Sequence, residues 1–365
     1  MTLYVGLMSG TSIDGLDAVL VEFEGAAGTR LLASTHAPFN SALRDELLAL
    51  NTAGHDELHR AAVAARALAE AQATAVHETL ARARADAADV RAIGSHGQTV
   101  RHRPDAGYTV QINQGALLAE RCGIDVVCDF RARDVVAGGQ GAPLVPAFHA
   151  ERFGVAGHAR AVLNLGGIAN LTLLGTDGSV KGFDTGPANA LLDHWCARHR
   201  GRPFDEDGRW AASGTVIDPL LATMLADPYF DRPPPKSTGR DRFNAAWLER
   251  HLAAFPAADP ADVQATLAEL SVRTVAVALR RELPGVQRLL VCGGGALNVH
   301  LMNGLARLLP GVAVESTAVH GIDPTLVEAM AFAWLARAFI DRQPGNRTDV
   351  TGAAGPRILG ALYPK

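Results

Sequence analysis

Apolar positions along the chain change period several times, from short runs suited to buried strands to the spacing of amphipathic helices. Residues 3–8 (LYVGLM) form an apolar run that predicts a strand. Residues 9–17 interrupt it with Gly, Ser, Thr and Asp, and 18–24 and 31–38 resume it as a second and third strand. Residues 58–84 are rich in Ala and free of Gly and Pro, which predicts one helix of about seven turns. A short strand at 92–95 runs into His96-Gly97-Gln98. Strand signals at 110–112 and 125–128 flank a helix near 116–121.

Residues 135–146 carry Gly138, Gly139, Gly141, Pro143 and Pro146, the composition of a domain junction. Beyond it the opening order returns. A strand at 160–165, the turn Gly166-Gly167, and strands at 169–174 and 180–183 precede a helix from 188 to about 200. Pro233-Pro234-Pro235 marks an exposed loop, followed by helices at 263–282, 297–308 and 324–340 and a strand at 288–292. Alternating strands and helices place the chain in the α/β class. The expected domains are 1–134, joined by 341–365, and 135–340.

Composition narrows the picture. With 365 residues, 48% apolar and 20% charged, the chain can bury two cores. A net charge of -4 without a basic segment argues against nucleic acid as a partner. No run of 18 apolar residues and no charged-then-apolar leader occurs, so no membrane partner is expected and the chain reads as cytoplasmic. Cys122, Cys128, Cys196 and Cys292 show no CxxC spacing and read as reduced, buried thiols. Lysine occurs only at Lys181, Lys236 and Lys365.

Three segments carry chemistry. In Gly10-Thr11-Ser12-Ile13-Asp14-Gly15-Leu16-Asp17, small residues let backbone N–H groups converge on an anion, and Thr11 and Ser12 add hydroxyls. Asp14 and Asp17 suit a hydrated Mg²⁺. A plain hairpin turn accounts for the same residues without a ligand. Asn164-Leu165-Gly166-Gly167-Ile168-Ala169-Asn170 is a second such turn, and two hairpins, one per domain, can clamp a polyphosphate from both sides of a cleft. Cys292-Gly293-Gly294-Gly295-Ala296-Leu297-Asn298 leads a strand through three glycines, against which a flat group such as adenine can lie. Neither GxGxxG nor GxxxxGK[ST] is present, which excludes a P-loop mechanism.

The strings GLMSGTSIDGLD (6–17), SHGQT (95–99), DFRARD (129–134), GGQGAPLVP (138–146), NLGGIAN (164–170), FDTGPAN (183–189), CGGGALN (292–298) and HGIDPTLVEAMAFAWLA (320–336) occur in order along the chain. Together they resemble the anhydro-N-acetylmuramic acid kinase family of the actin/Hsp70/sugar-kinase superfamily. The resemblance implies a two-domain, actin-like, ribonuclease-H-like sugar-kinase fold with ATP in the cleft between domains. It implies ATP-dependent opening of the 1,6-anhydro bridge and phosphorylation of O6, in peptidoglycan recycling. ATP phosphates would meet residues 10–17, Gly166 and Gly167; adenosine would meet Gly293, Gly294, Gly295 and Asn298.

By the same resemblance Asp184 is the catalytic base, though Asp-Thr-Gly-Pro taken alone reads as a helix N-cap. His96, Gln98, Arg131 and Glu328 are the expected sugar contacts, with Gln111 and Asn113 pointing to the same place. The planar fork of Arg131 matches a lactyl carboxylate. Alternatives stand for three of them: an ion pair of Arg131 with Asp129 or Asp134, a core histidine at 96, and a solvated helix face at 328. An ordinary hexose kinase and a non-enzymatic ATP-dependent switch are the rival readings, and a homodimer is the assembly held open.

Overall fold

A computed structural model describes residues 2–10, 13–24, 28–239 and 241–365. They form two compact units, Met1–Arg152 with Leu326–Lys365, and Phe153–Thr325. The first unit contains β1 (Thr2–Met8), β2 (Gly15–Glu24), β3 (Gly28–Pro38), β4 (Val90–Ser95), a separate hairpin of β5 (Gln98–Arg103) and β6 (Tyr108–Ile112), and β7 (Val126–Cys128). Its main sheet runs β7-β4-β1-β2-β3, with the terminal strand Ala361–Tyr363 outside β7. β2 is antiparallel to β1 and β3, whereas β4 is parallel to both β1 and β7.

The second unit contains β8 (Arg160–Leu165), β9 (Ile168–Leu174), β10 (Val180–Pro187), β11 (Arg288–Cys292) and β12 (Ala313–Ser316) in the order β10-β9-β8-β11-β12. Here β9 is antiparallel to β8 and β10, and β11 is parallel to both β8 and β12. Both sheets therefore place their strands third, second, first, fourth, fifth. The recurrence of strand, glycine turn and strand read from the sequence extends to the whole sheet.

The helix expected at 58–84 is Glu57–Ala83, and its buried residues Ala65, Leu68, Ala69, Gln72, Val76 and Leu80 follow helical spacing. The four cysteines are free and buried, as their spacing suggested. The second strand begins at Gly15 rather than at 18, so residues 15–17 belong to a ladder and the first turn is shorter than expected.

The units divide at 152/153 and 325/326, not at 134/135 and 340/341. Two packing facts account for the difference. The helix Val327–Ile340 lies directly on β1 and β4, because neither Gly6 nor Gly94 carries a side chain. A Cβ at Gly6 would sit 2.0 Å from the Ala329 carbonyl oxygen, and one at Gly94 would sit 2.0 Å from that of Phe332. The 138–142 loop is held by the buried Asp134 carboxylate, which accepts from Gly141 N (2.7 Å), Asn346 Nδ2 (2.7 Å) and Thr351 Oγ1 (2.8 Å). The glycine-rich stretch is thus anchored inside the first unit.

A Gly94→Ala substitution should lower the free energy of unfolding by about 3 kcal/mol or more, since backbone rather than a movable side chain opposes the methyl. Urea unfolding of the two proteins measures it, and a loss below about 1 kcal/mol would show that the helix shifts off the sheet at little cost.

Candidate active site

In the first unit the chemistry gathers between β1 and the turn after β4. Thr11 and Ser12 lie outside the described residues. Ser9 is buried and its hydroxyl meets Gly97 O (3.0 Å) and Gln98 Oε1 (2.8 Å). Gln98 Nε2 reaches Gly10 O at 3.3 Å. Ile13 N donates to the same Gly10 carbonyl, and Ile13 has φ 54°, which bends the turn back. The side chains of Ile13 and Leu16 are in the apolar core, so only their backbone can meet a ligand. Gly15 lies close to Ala37 O and the His36 ring, where a Cβ would come within 2.8 Å of each. Asp14 is exposed, and Asp17 Oδ1 lies 2.8 Å from His36 Nδ1.

His96 follows β4 with its N–H on Leu7 O, and its ring packs 4.7 Å from that of Phe332. Burial, reinforced by the Arg131 charge, pushes its pKa down to about 3, so the imidazole is neutral. With Nδ1 donating to Ser9 O (3.3 Å), Nε2 is left as the acceptor for Arg131 Nε (3.2 Å) and Nη2 (3.1 Å). Arg131 Nη1 donates to Gly141 O at 2.9 Å. Burial lowers the Arg131 pKa to about 10, and the guanidinium stays charged. Its neighbours in contact are neutral; the carboxylate of Asp134 faces Gly141, Asn346 and Thr351 instead. Among the described residues no carboxylate is within ion-pair distance of Arg131. Glu328 is half-buried, and burial raises its pKa, opposed by Arg131 and assisted by Asp17.

The expected sugar contacts therefore separate. Gln98 is 1% exposed and His96 6%. Their side chains bond Ser9, Gly10 and Arg131. Arg131 and Glu328 share one electrostatic environment, and Asp17 acts on the latter. Gln111 bonds Thr99 and Thr109, while Asn113 bonds Ser95.

In the second unit β8 and β9 are joined by the two-residue turn Gly166-Gly167. Gly167 O accepts from Ala188 N and Ala190 N, and Gly166 O from Asn189 N, so the turn docks the start of the helix Asn189–Arg200. The three-glycine turn packs on this hairpin. A Cβ at Gly293 (φ 79°) would lie 2.3 Å from Asn164 Oδ1, and one at Gly295 2.5 Å from Leu165 Cβ. Gly294 alone is open, with nothing nearer than Asn189 Nδ2 at 4.0 Å. Asn298 is the N-cap of the helix Val299–Leu308, its Oδ1 accepting from Leu301 N.

Asp184 is not a helix cap. It lies in β10, where the register with β9 shifts between Asp184 and Gly186, while Ala188 occupies the N-cap. Such a bulge re-aims the side chain of a strand. The segment 229–238 encloses the residue: Tyr229 Oη donates to Asp184 O (2.8 Å), Asp184 N to Lys236 O (3.1 Å), and Thr238 N to Asp184 Oδ2 (2.9 Å). Burial pushes the carboxyl up to about 6 from 3.8, against the pull of the Thr238 N–H and the Lys236 charge. Tyr229, Lys236 and Thr238 escape a motif-based reading. The one available signal is compositional, a lone lysine after three prolines in an arginine-dominated chain.

Two sheets of one strand order, each opening on a glycine-bearing hairpin, define the class: the actin-like sugar-kinase plan of paired ribonuclease-H-like units. The family model described as anhydro-N-acetylmuramic acid kinase matches residues 2–365, and the chain belongs to that family. Anhydro-N-acetylmuramic acid kinase of Bordetella petrii is 59% identical, covering 99% of this chain and 96% of its own. The proteins of that name from Cupriavidus pinatubonensis (56%, covering 99% and 98%) and Pseudomonas paraeruginosa (55%, covering 100% and 99%) are similar throughout. Among solved structures, the activator of 2-hydroxyisocaproyl-CoA dehydratase from Clostridium difficile with bound ADPNP aligns at a TM-score of 0.48 and 12% identity, over 93% of this chain and 96% of its own.

The Asp184 environment has a stability consequence. Its folded-state pKa lies above the unfolded value, so the folded chain binds the proton more tightly and loses stability as pH rises from 3.8 through about 6. Asp184→Asn keeps an acceptor for Thr238 and never ionises. Its melting temperature should exceed that of the wild type above pH 6, with the gap closing towards pH 4. Thermal unfolding across that range measures it; equal melting temperatures at neutral pH would contradict a strained carboxylate.

Proposed function

We propose that this chain uses ATP to open the 1,6-anhydro bridge of anhydro-N-acetylmuramic acid and to phosphorylate O6, giving N-acetylmuramic acid 6-phosphate for cell-wall recycling in the cytoplasm. Asp184 carries the mechanism, as a carboxylate in a strand bulge whose basicity is raised by burial. It takes a proton from water as the water oxygen bonds C1 and the C1–O6 bond breaks. The released O6 bonds the γ-phosphorus, and ADP departs. The scheme resembles half of an inverting glycosidase, with phosphoryl transfer trapping the leaving oxygen. Raising an acid to about 6 makes it a stronger base while leaving it ionised at neutral pH.

Arg131 supports the sugar-acid reading. Its guanidinium is held in place by His96 and Gly141 O, both neutral, and its charge is available to the lactyl carboxylate. Glu328 would accept from a sugar hydroxyl. Nucleotide phosphates would meet the backbone at Gly10, Ile13, Gly15, Leu16 and the Gly166-Gly167 turn, with the hydroxyls of Thr11 and Ser12. Adenosine would approach the open Gly294.

Mg²⁺ suits the oxygen donors present. Asp14 is exposed and the Asp17 side chain retains 32% exposure, although the described residues hold no group of three metal-ligating side chains. Mg²⁺ commonly takes one or two carboxylates together with substrate phosphates. Asp14 and Asp17 would hold it, and when bound it offsets charge on the phosphates.

Phosphorus and proton NMR of the anhydro sugar with ATP and the protein tests the assignment. The expected products are ADP and the reducing 6-phosphate. ADP formed with plain hexoses but not with the anhydro sugar would leave an ordinary hexose kinase.

Asp184→Asn should lose about 10²-fold or more in turnover with ATP affinity nearly intact, because an amide cannot take the proton. In the wild type, kcat/KM should fall as pH drops through about 6, where Asp184 becomes protonated. An acid limb near 4 or a variant retaining more than about a tenth of turnover would put the base elsewhere.

A further inference from the structure

Lys236 has a role beyond those assigned above. It is 9% exposed. Its ammonium donates to Tyr229 O (3.2 Å) and Phe230 O (3.1 Å), and lies 4.7 Å from the Tyr229 ring centroid. No carboxylate lies within ion-pair distance of it among the described residues. Glu282 pairs with Arg281 and Lys181, and Arg281, Glu282, Asp231 and Arg232 act on Lys236 from farther off.

The ammonium thus ties residue 236 back to residues 229–230 and closes the segment on itself. The same segment touches Asp184 at three places, Tyr229 Oη, Lys236 O and Thr238 N. Gly186 makes room for the segment, since a Cβ there would lie 2.7 Å from the Phe230 ring. An ammonium carries three donors, enough to meet both carbonyls at once.

We propose that Lys236 is a positioning residue for the base: its ammonium closes the 229–238 segment so that the Thr238 N–H meets Asp184 Oδ2, and its charge favours the ionised carboxylate. The proposal rests on the reading of Asp184 as the base. The two functions of Lys236 separate by substitution. Glutamine can donate to the same carbonyls without charge, and arginine keeps both the charge and the donors.

The experiment measures kcat/KM against pH for wild type, Lys236→Gln, Lys236→Arg and Asp184→Asn, with ATP affinity by calorimetry as the check on folding. Lys236→Gln should move the acid limb upward by roughly half to one pH unit and lower kcat about tenfold. ATP affinity should be unchanged, and arginine should return the limb towards its wild-type position. A folded Lys236→Gln with wild-type limb and kcat overturns the proposal, as does an arginine variant displaced as far as the glutamine one. If Lys236→Gln does not fold, the arginine variant decides alone: a wild-type limb supports the proposal and a displaced limb overturns it. Turnover retained by Asp184→Asn removes the base and this inference together. Turnover lost there, with an unmoved limb in Lys236→Gln, removes only the role of the lysine.

Discussion

The first unit depends on a contact between backbones. Gly6 in β1 and Gly94 in β4 face the helix Val327–Ile340 with no intervening side chain, and the carbonyls of Ala329 and Phe332 occupy the space where Cβ atoms would be. A helix seated this close places Phe332 against both His96 and Phe130, with ring centroids 4.7 and 5.6 Å apart. It also sets Glu328, on the first turn of that helix, in the field of Arg131 and Asp17. A larger residue at either glycine would lift the helix and separate these groups. The packing constraint and the site geometry are one constraint.

Around Arg131 the arrangement avoids neutralising the charge it buries. A histidine at this depth is neutral and can accept, so His96 orients the guanidinium without competing as an anion. Asp134, a candidate for an ion pair from the sequence, is instead occupied by a peptide N–H, an amide and a hydroxyl. It fixes the peptide of Gly141, whose carbonyl in turn holds Arg131. An arginine held by neutral partners keeps its attraction for an incoming carboxylate, whereas one already paired would have to exchange one anion for another.

Much of the scaffold is legible in the sequence because the signals are local. Residues 58–84 lack helix breakers over many turns, and a glycine pair between apolar runs specifies the β8–β9 hairpin. Asp184 is legible as a member of a string, yet the same four residues describe a helix cap, and only the β10 register distinguishes the two. What escapes depends on partners far along the chain. The helix at 327–340 joins the first unit through Gly6 and Gly94, more than two hundred residues earlier, and no local pattern records it. His96 and Gln98 read as sugar contacts through the family resemblance, but their burial against Ser9 and Gly10 emerges only when β1 and β4 pair.

The two units treat charge in parallel. In one, a guanidinium is held by an imidazole and a carbonyl; in the other, an ammonium is held by two carbonyls and a carboxylate by one peptide N–H. With an opposite charge in contact, Arg131 would be less available to a ligand and Asp184 to a proton. Burial shifts all three pKa values towards the uncharged form, lowering Arg131 and Lys236 and raising Asp184. The surrounding packing must sustain that penalty. The buried strands and the Tyr229, Phe230 and Phe243 cluster beside Asp184 are what make it tolerable, since a loosened segment would admit water and return the carboxyl to an ordinary acid.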